Sequence, residues 1–285
     1  MTSPRTAVIT GAASGIGRSL AIKLAALDYR VHLADRNAGG LAETRSAIEA
    51  GGGTVLSVKE LDITEQESVT AWANELVSAH GVPDEVHHVA GIAIWGDAAT
   101  MPHEKWQAVI DVNLMGSIHM VQAFTPHLQV AKAKRKTPRR KLVFVSSAAG
   151  IIGLPWHAAY SASKGGVIGM CEVLRFDLAP KGVDVHVVAP GAVDTPLVST
   201  IDIDGVDQSN KRVRKAKSLF QGHAKSPDQV ADSIIKGVAK KKYLITTSGD
   251  ISLARWAQVN LPFAYKGAMK GLNRAFRWAA SDARQ

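Results

Sequence analysis

Tyr160 and Lys164 stand four residues apart in AAYSASKGG, after an apolar run at 142–145, two serines and a glycine-containing loop. On a helix that spacing puts both side chains on one face, one turn apart. A phenol titrates near pH ~10, too high for a base at neutral pH, and a neighbouring ammonium favours its ionised form. The pair therefore reads as an acid–base device. A strand ending at the serines and a helix beginning before Tyr160 must position it.

A second stretch suited to chemistry lies near the N-terminus. Ala7–Thr10 reads as a short buried strand, Gly11-Ala-Ala-Ser14-Gly15-Ile16-Gly17 as a turn, and RSLAIKLAALDY as a helix. A glycine turn lets the backbone approach a pyrophosphate, and a helix N-terminus favours its negative charge. The next strand, residues 29–34, ends at Asp35, which lies 18 residues after Gly17. An acid at that point can bind the adenosine ribose hydroxyls and would repel a 2′-phosphate. NAD is the expected cofactor, with NADP left open because the adjacent Arg36 could accommodate that phosphate.

The remaining pattern supplies the frame. Residues 41–50 read as a helix, 54–61 as a strand, Thr64-x-x-Glu67 as a capping box for the next helix, and 86–89 as a strand ending at Ala90-Gly91. Residues 103–127 read as one helix with Asn113 in its interior, an unfavourable place for an amide without a task. Alternating strands and helices mean βαβ units and a parallel sheet. The expected class is α/β: one doubly wound, Rossmann-like catalytic domain over residues 1–250 with a sheet of about seven strands. Residues 251–285 form a helical extension that is not an independent domain.

With 285 residues, 46% apolar and 21% charged, the chain can bury a full core. Its single cysteine, Cys171, excludes an intramolecular disulfide framework and a Cys-rich metal site, and no metal is expected. No long uncharged apolar run suggests a spanning helix, and MTSPRTAVIT enters a strand pattern without room for a signal peptide, so a cytoplasmic location is expected. The net charge of +9 gathers at 132–141, 211–217, 240–242 and the tail. These runs read as solvated loops and faces that also attract an anionic cofactor. Outside the tail they lack the interleaved aromatics of a nucleic-acid stacking platform, so no nucleic-acid partner is expected.

Taken together, these motifs resemble the short-chain dehydrogenase/reductase family, continuously over residues 6–196 and more loosely to 247. Thr10-Gly11-x-x-x-Gly15-x-Gly17 matches the family's cofactor turn, with Ser14 and Ile16 inside it. Asp62-Ile63 matches its adenine-contacting pair. Asn113, Ser147 and Tyr160-x-x-x-Lys164 match its catalytic tetrad in type, order and spacing, and the family spacing selects Ser147 over Ser146. Pro190-Gly191-x-Val193-x-Thr195 matches the segment that holds the nicotinamide carboxamide. Two departures stand out. His88-Val89-Ala90-Gly91 replaces the usual Asn-Asn-Ala-Gly, which implies tuning rather than loss of activity. The usual Asp-Gly-Gly ending is absent, which puts the family's common tetrameric packing in doubt.

The resemblance implies hydride transfer between NAD(P) and a small-molecule alcohol or ketone by a homo-oligomer, dimer or tetramer. Tyr160 would be the general acid–base, its pKa lowered by Lys164. Ser147 would hold the substrate oxygen. Lys164 would also bind the nicotinamide ribose, and Asn113 would hold a water relaying protons. Candidate substrate walls are Ile94, Trp95, Leu154, Trp156 and His157, beside Ser147 and Tyr160; they suit a lipophilic substrate such as a steroid, retinoid or fatty-chain carbonyl. Residues 197–226 read as a mobile lid. In the tail, two helices split near Pro262 carry Tyr265, Met269, Leu272 and Phe276 on one stripe and Lys266, Lys270 and Arg274 on another. They are expected to pack on the body or a partner subunit, the alternative being an amphipathic helix on an anionic membrane. The competing functional class is a catalytically idle dinucleotide-binding regulator.

Overall fold

β1 (Thr6–Thr10) is buried at every position and pairs in parallel with β2 (Arg30–Asp35) on one side and β4 (Glu85–His88) on the other. The order of strands reverses beside it, between β1 and β4. β3 (Thr54–Glu60) extends the β2 side. β6 (Arg140–Val145), β7 (Val183–Ala189) and β9 (Leu244–Thr246) extend the β4 side, giving a seven-stranded parallel sheet in the order β3-β2-β1-β4-β6-β7-β9. A separate pair, β5 (Ile94–Trp95) and β8 (Asp202–Ile203), forms a small parallel ribbon. The computed structural model describes residues 4–130, 138–195, 202–206, 210 and 224–281.

Helices cover both faces. Successive strand residues point to opposite sides, so strands covered twice must be apolar throughout. Ile9, Val143 and Val188 meet α1 (Gly15–Ala25) and α7 (Pro227–Ala239) through Leu20, Leu24, Val230 and Ile234. Val8, Val86 and Phe144 meet α3 (Gln66–His80), α5 (Gly116–Leu128) and α6 (Ala158–Leu178) through Trp72, Phe124 and Val167. α2 (Ala38–Ala50) completes the first layer through Leu41 and Ile48. The doubly wound architecture expected from the alternating pattern is the one observed.

Several local expectations are corrected. The helix expected over 103–127 is broken: α4 (His103–Ile110) passes through a π-helical turn, Asp111–Met115, into α5. The turn holds Asn113, whose amide bonds outside its own helix. Thr64 does not cap α3. Its hydroxyl and N–H both donate to Asp62 Oδ1, at 2.8 and 2.9 Å, and the N-cap is Glu65 without a side-chain bond. The basic run at 132–141 is not a loop throughout, because Arg140 and Lys141 open β6. Arg139 pairs with Asp184 at 2.6 Å and Lys141 with the buried Glu85 at 2.6 Å, so cations are tolerated at the N-terminal end of an interior strand. The stretch 211–217, and most of the region expected as a lid, lie outside the described residues. Triple lysine 240–242 is exposed, as expected.

The tail forms α8 (Gly249–Asn260) and α9 (Pro262–Ser281), divided at the expected proline. Among the described residues no helix is long and apolar enough to cross a membrane.

Candidate active site

The sheet reverses between β1 and β4, and a crevice must open beyond their C-terminal ends. A cavity of about 580 Å³ lies there, lined by Gly11, Ser14, Gly15, Ile16, Gly17, Asp35, Arg36, Asp62, Ile63, Ala90, Gly91 and Thr195. All twelve are residues expected to hold the cofactor. Ala13, Asn37, Leu61, Val89, Ile92, Ala93, Val112 and Asp202 also line it, as does the substrate-side candidate Ile94. Most of these extra residues flank recognised motifs and contribute largely backbone or aliphatic surface, so their identity carried no signal.

The glycine turn has a steric reason. Gly11 adopts φ +69°, and a Cβ there would stand 2.7 Å from the Ala90 nitrogen. α1 starts immediately beyond. Its N-cap, Ser14, makes no side-chain capping bond, and its first turn holds no acid. The N–H groups of that turn therefore point into the crevice without a side-chain partner, as an anion site requires. Thr10 supports the turn from behind. Its Oγ1 accepts from the N–H groups of Val89 (3.2 Å) and Ala90 (3.4 Å) and lies 2.8 Å from His88 Nδ1. His88 thus fills the departure from the family pattern with a buried imidazole, which burial holds down to about 3 and so keeps neutral.

Asp35 ends β2 and keeps its carboxylate in the crevice wall, accepting from Ala13 N–H at 3.1 Å and Asn37 N–H at 3.0 Å. Asp62 is held below the usual carboxylate range by the Thr64 N–H, helped by the Thr64 hydroxyl and the charge of Arg36. Arg18 was not anticipated. Its guanidinium donates to Ala13 O (2.6 Å) and Glu43 (2.7 Å), bracing the turn against α2.

None of the tetrad candidates lines the crevice itself, but Asn113 and Lys164 adjoin it at Gly91. Tyr160 and Lys164 lie on α6, 9% and 5% exposed, with the ammonium 6.0 Å from the ring centroid. Lys164 Nζ donates to Val145 O at 3.0 Å. Asn113 accepts from Ile92 N–H (2.9 Å) and donates to Ile92 O and Ser163 Oγ, both at 3.0 Å. Its amide thereby fixes the backbone after β4. A Cβ on Gly91 would stand 2.8 Å from Asn113 Oδ1 and 3.1 Å from Lys164 Nζ, so only glycine leaves both groups in place. Ser146 is committed elsewhere, donating to Lys164 O at 2.8 Å, whereas Ser147 Oγ accepts only from Ala149 N–H, at 3.1 Å, among the hydrogen bonds of the described residues, and its hydroxyl lowers the Tyr160 phenol.

One expectation about Tyr160 changes. Burial pushes its phenol above the ordinary value, and the Ser147 hydroxyl only partly offsets this. Burial also lowers Lys164 to about 8. Without a further positive group, desolvation outweighs the ammonium's pull on the phenol.

Pro190, Gly191, Val193 and Thr195 follow β7. Pro190 O accepts from Ala148 N–H at 2.8 Å, Gly191 N–H donates to Thr247 Oγ1 at 3.4 Å, and Val193 bridges to Lys225. Thr195 alone of the four lines the crevice.

Tyr160 itself belongs to an apolar cluster with Ala93, Trp95, Met101, Val109, Ala149, Ala159 and Ile203, with Ile94, Trp106, Leu154 and Trp156 packed against it; Ala93 and Ile94 also line the crevice. Of the residues expected to wall the substrate, Ile94, Trp95, Leu154, Trp156 and Tyr160 are in or against this cluster, and His157 touches it through Trp95. His157 is 2% exposed, and its ring lies 4.1 Å from Trp95 and 6.4 Å from Tyr160. Nδ1 donates to Pro155 O at 2.7 Å; burial holds the imidazole down to about 4, so it is neutral with a bare Nε2. Lys105 pairs with Asp202 and Asp204 at 2.6 and 2.7 Å, tying β8 over the cluster.

The tail closes this side. The Tyr265 hydroxyl donates to Gly153 O at 2.9 Å, and Phe276 stacks on Trp156 with centroids 6.0 Å apart and planes 20° apart. Trp156 itself has φ +69°, strained backbone for a bulky side chain. The stripe seen in the sequence is real, but that it meets residues 153–157 could not be read from spacing.

The turn, the uncapped helix end and the acid at the β2 terminus fit a dinucleotide. Known proteins agree. The model of the short chain dehydrogenase family matches residues 5–204. SadH of Mycobacterium tuberculosis, described as an oxidoreductase, is 35% identical over 239 residues, 83% of each chain. A short-chain dehydrogenase/reductase of Burkholderia phymatum, solved in complex with NAD, superposes with a TM-score of 0.77 at 27% identity, covering 88% of this chain and 92% of its own. A variant of actinorhodin polyketide ketoreductase, solved with NADPH, gives 0.73 at 25% identity, covering 88% and 98%. The reversal crevice, the family match and these relatives lead to one conclusion: the chain belongs to the short-chain dehydrogenase/reductase family of oxidoreductases.

Proposed function

We propose that the chain is an NAD(P)-dependent dehydrogenase or reductase acting on a lipophilic secondary alcohol or ketone, with Tyr160 as general acid–base. One observation carries this reading: the Tyr160 phenol is buried within an apolar cluster and lies beside Lys164, whose ammonium adjoins Gly91 in the wall of the crevice. A bound nicotinamide supplies the hydride acceptor or donor. Everything else falls to the chain.

The crevice backbone around Gly11 and the α1 N-terminus receives the pyrophosphate. Asp35 receives the adenosine ribose hydroxyls, which favours NAD. Ser147 orients the substrate oxygen toward Tyr160. In oxidation the ionised phenol accepts the hydroxyl proton, and in reduction the neutral phenol donates one to the carbonyl oxygen. Burial alone keeps the phenol neutral, so its ionisation depends on Lys164 in its ammonium form and on positive charge beside it. Asn113 positions: it fixes Ile92 and leaves room, through Gly91, for Lys164. Residues 1–250 carry this chemistry, and the tail completes its substrate side.

Assembly belongs to the same reading. Val173 and Phe176 leave apolar side chains 58% and 62% exposed on α6, which supports a homo-oligomer. A cytoplasmic location goes with it.

The test is reduction of NAD and NADP by purified chain across steroid, retinoid, aliphatic and sugar alcohols. Turnover with apolar secondary alcohols, faster with NAD, is expected. Turnover confined to sugars would overturn the substrate class, and an NADP preference would overturn the role of Asp35.

A further inference from the structure

The outer surface of α8 and α9 takes no part in the chemistry above, yet its composition is distinctive. Residues 251–281 contain five cations, Arg255, Lys266, Lys270, Arg274 and Arg277, and no carboxylate. Elsewhere the chain's cations commonly find acids, as Lys23 does with Asp232 and Lys105 with two aspartates. Among the described residues, none of the five tail cations lies in ion-pair range of a carboxylate.

Beside them lies an apolar corner. Trp256 and Val259 in the last turns of α8, Leu261 between the helices and Phe263 at the start of α9 are 52%, 73%, 48% and 90% exposed. Phe263 is the most exposed large apolar side chain among the described residues. These four residues fall within eight positions of chain. α9 explains why the cations remain outside. Its half-buried stripe, Tyr265, Met269, Leu272 and Phe276, is spent on the body, and Lys266, Lys270 and Arg274 fall on the opposite, exposed face.

We propose that this corner docks on an anionic lipid surface. Trp256, Val259, Leu261 and Phe263 enter the interfacial layer, while Lys266, Lys270 and Arg274 meet the headgroups. Aromatic and aliphatic side chains at such a boundary leave water, and juxtaposed cations add attraction to anionic lipid. A nucleic acid would satisfy the cations but leave Val259 and Phe263 in water. A second copy would bring five cations against five on a chain that already carries +9. The bilayer alone accepts both the charge and the apolar corner. The other face of α9 lies against residues 153–157, so one helix would separate the lipid from the substrate wall. The docking does not depend on which alcohol or ketone is turned over.

The experiment is co-sedimentation of the full chain with vesicles of phosphatidylcholine alone or containing about 30% phosphatidylglycerol. Expected is binding at least about tenfold tighter to the anionic vesicles, largely lost at about 0.5 M salt. Phe263→Ser and Val259→Ser together, and separately Lys266→Glu with Lys270→Glu, should each weaken it about fivefold or more. Binding of NADH, followed by fluorescence, and the thermal midpoint should not change, which shows that the exposed-site variants still fold. Equal partition onto both vesicle types, or none, would overturn the proposal. So would tighter binding to a DNA duplex that survives the Phe263 and Val259 changes, which would mark a polyanion site. Conversion of an oligomer to a monomer by those changes, with vesicle binding unaltered, would mark an interface between copies and overturn it too.

Discussion

The crevice and the apolar cluster that holds Tyr160 are built differently. The cofactor side is made of backbone held by short-range features: a glycine at positive φ, an uncapped helix end and an acid closing the neighbouring strand. The proposed substrate side is made of side chains brought from far apart. Trp95, Ile203, Trp156 and Phe276 come from four separate segments. The first construction tolerates no added atom at a few positions. The second can change its occupant by changing side chains. One fold can thereby keep its cofactor and vary its substrate.

Changes at the junction should cost most. Tyr160→Phe removes the proton carrier from both halves at once, and kcat should fall about 10²–10⁴-fold while NADH binding stays within about twofold. Equal loss of cofactor binding would show that Tyr160 supports the crevice instead. Next comes Gly11→Ala. The strained φ and the 2.7 Å approach to Ala90 should weaken cofactor binding about 100-fold or more, measured by fluorescence titration, without altering the apolar cluster.

On the substrate side the expected effects are smaller. Phe276→Ala with Tyr265→Phe removes the ring contacts to Trp156 and His157 and the hydrogen bond to Gly153. KM for the best alcohol should rise about tenfold with cofactor affinity unchanged, because an aromatic contact and one hydrogen bond are worth only a few kcal/mol together. A cofactor-only defect would invert the comparison. Smallest is Asp35→Ser, which should narrow the ratio of NAD to NADP turnover about five- to tenfold by removing repulsion at one exposed edge of the crevice.

The same division explains what could be read from the sequence. The doubly wound sheet and the crevice followed from alternating elements and from residues 10–17, because turn glycines and strand ends act locally. Asn113 was visible as an amide out of place in a helix, but the π-helical turn that turns it toward Ile92 was not. The capping role given to Thr64 failed because Asp62, two residues back, takes both of its donors. The shift of Tyr160 was misjudged because sequence spacing reports the nearby ammonium and hides burial, which here is the larger influence. The docking of α9 was out of reach: an apolar stripe says that a helix face will be covered, not by what.

The central claim is that Tyr160 carries the proton between the two sides. Its most direct test is the pH dependence of kcat for alcohol oxidation. Oxidation needs the ionised phenol, burial places the phenol high, and Lys164 supports its ionisation only while protonated, so kcat should rise from about pH 6 toward the Lys164 value of about 8, where loss of the ammonium ends the rise, and the reverse reduction should fall over the same range. A kcat for oxidation that is flat, or that falls, between about pH 6 and about 8 while the chain stays folded would contradict it.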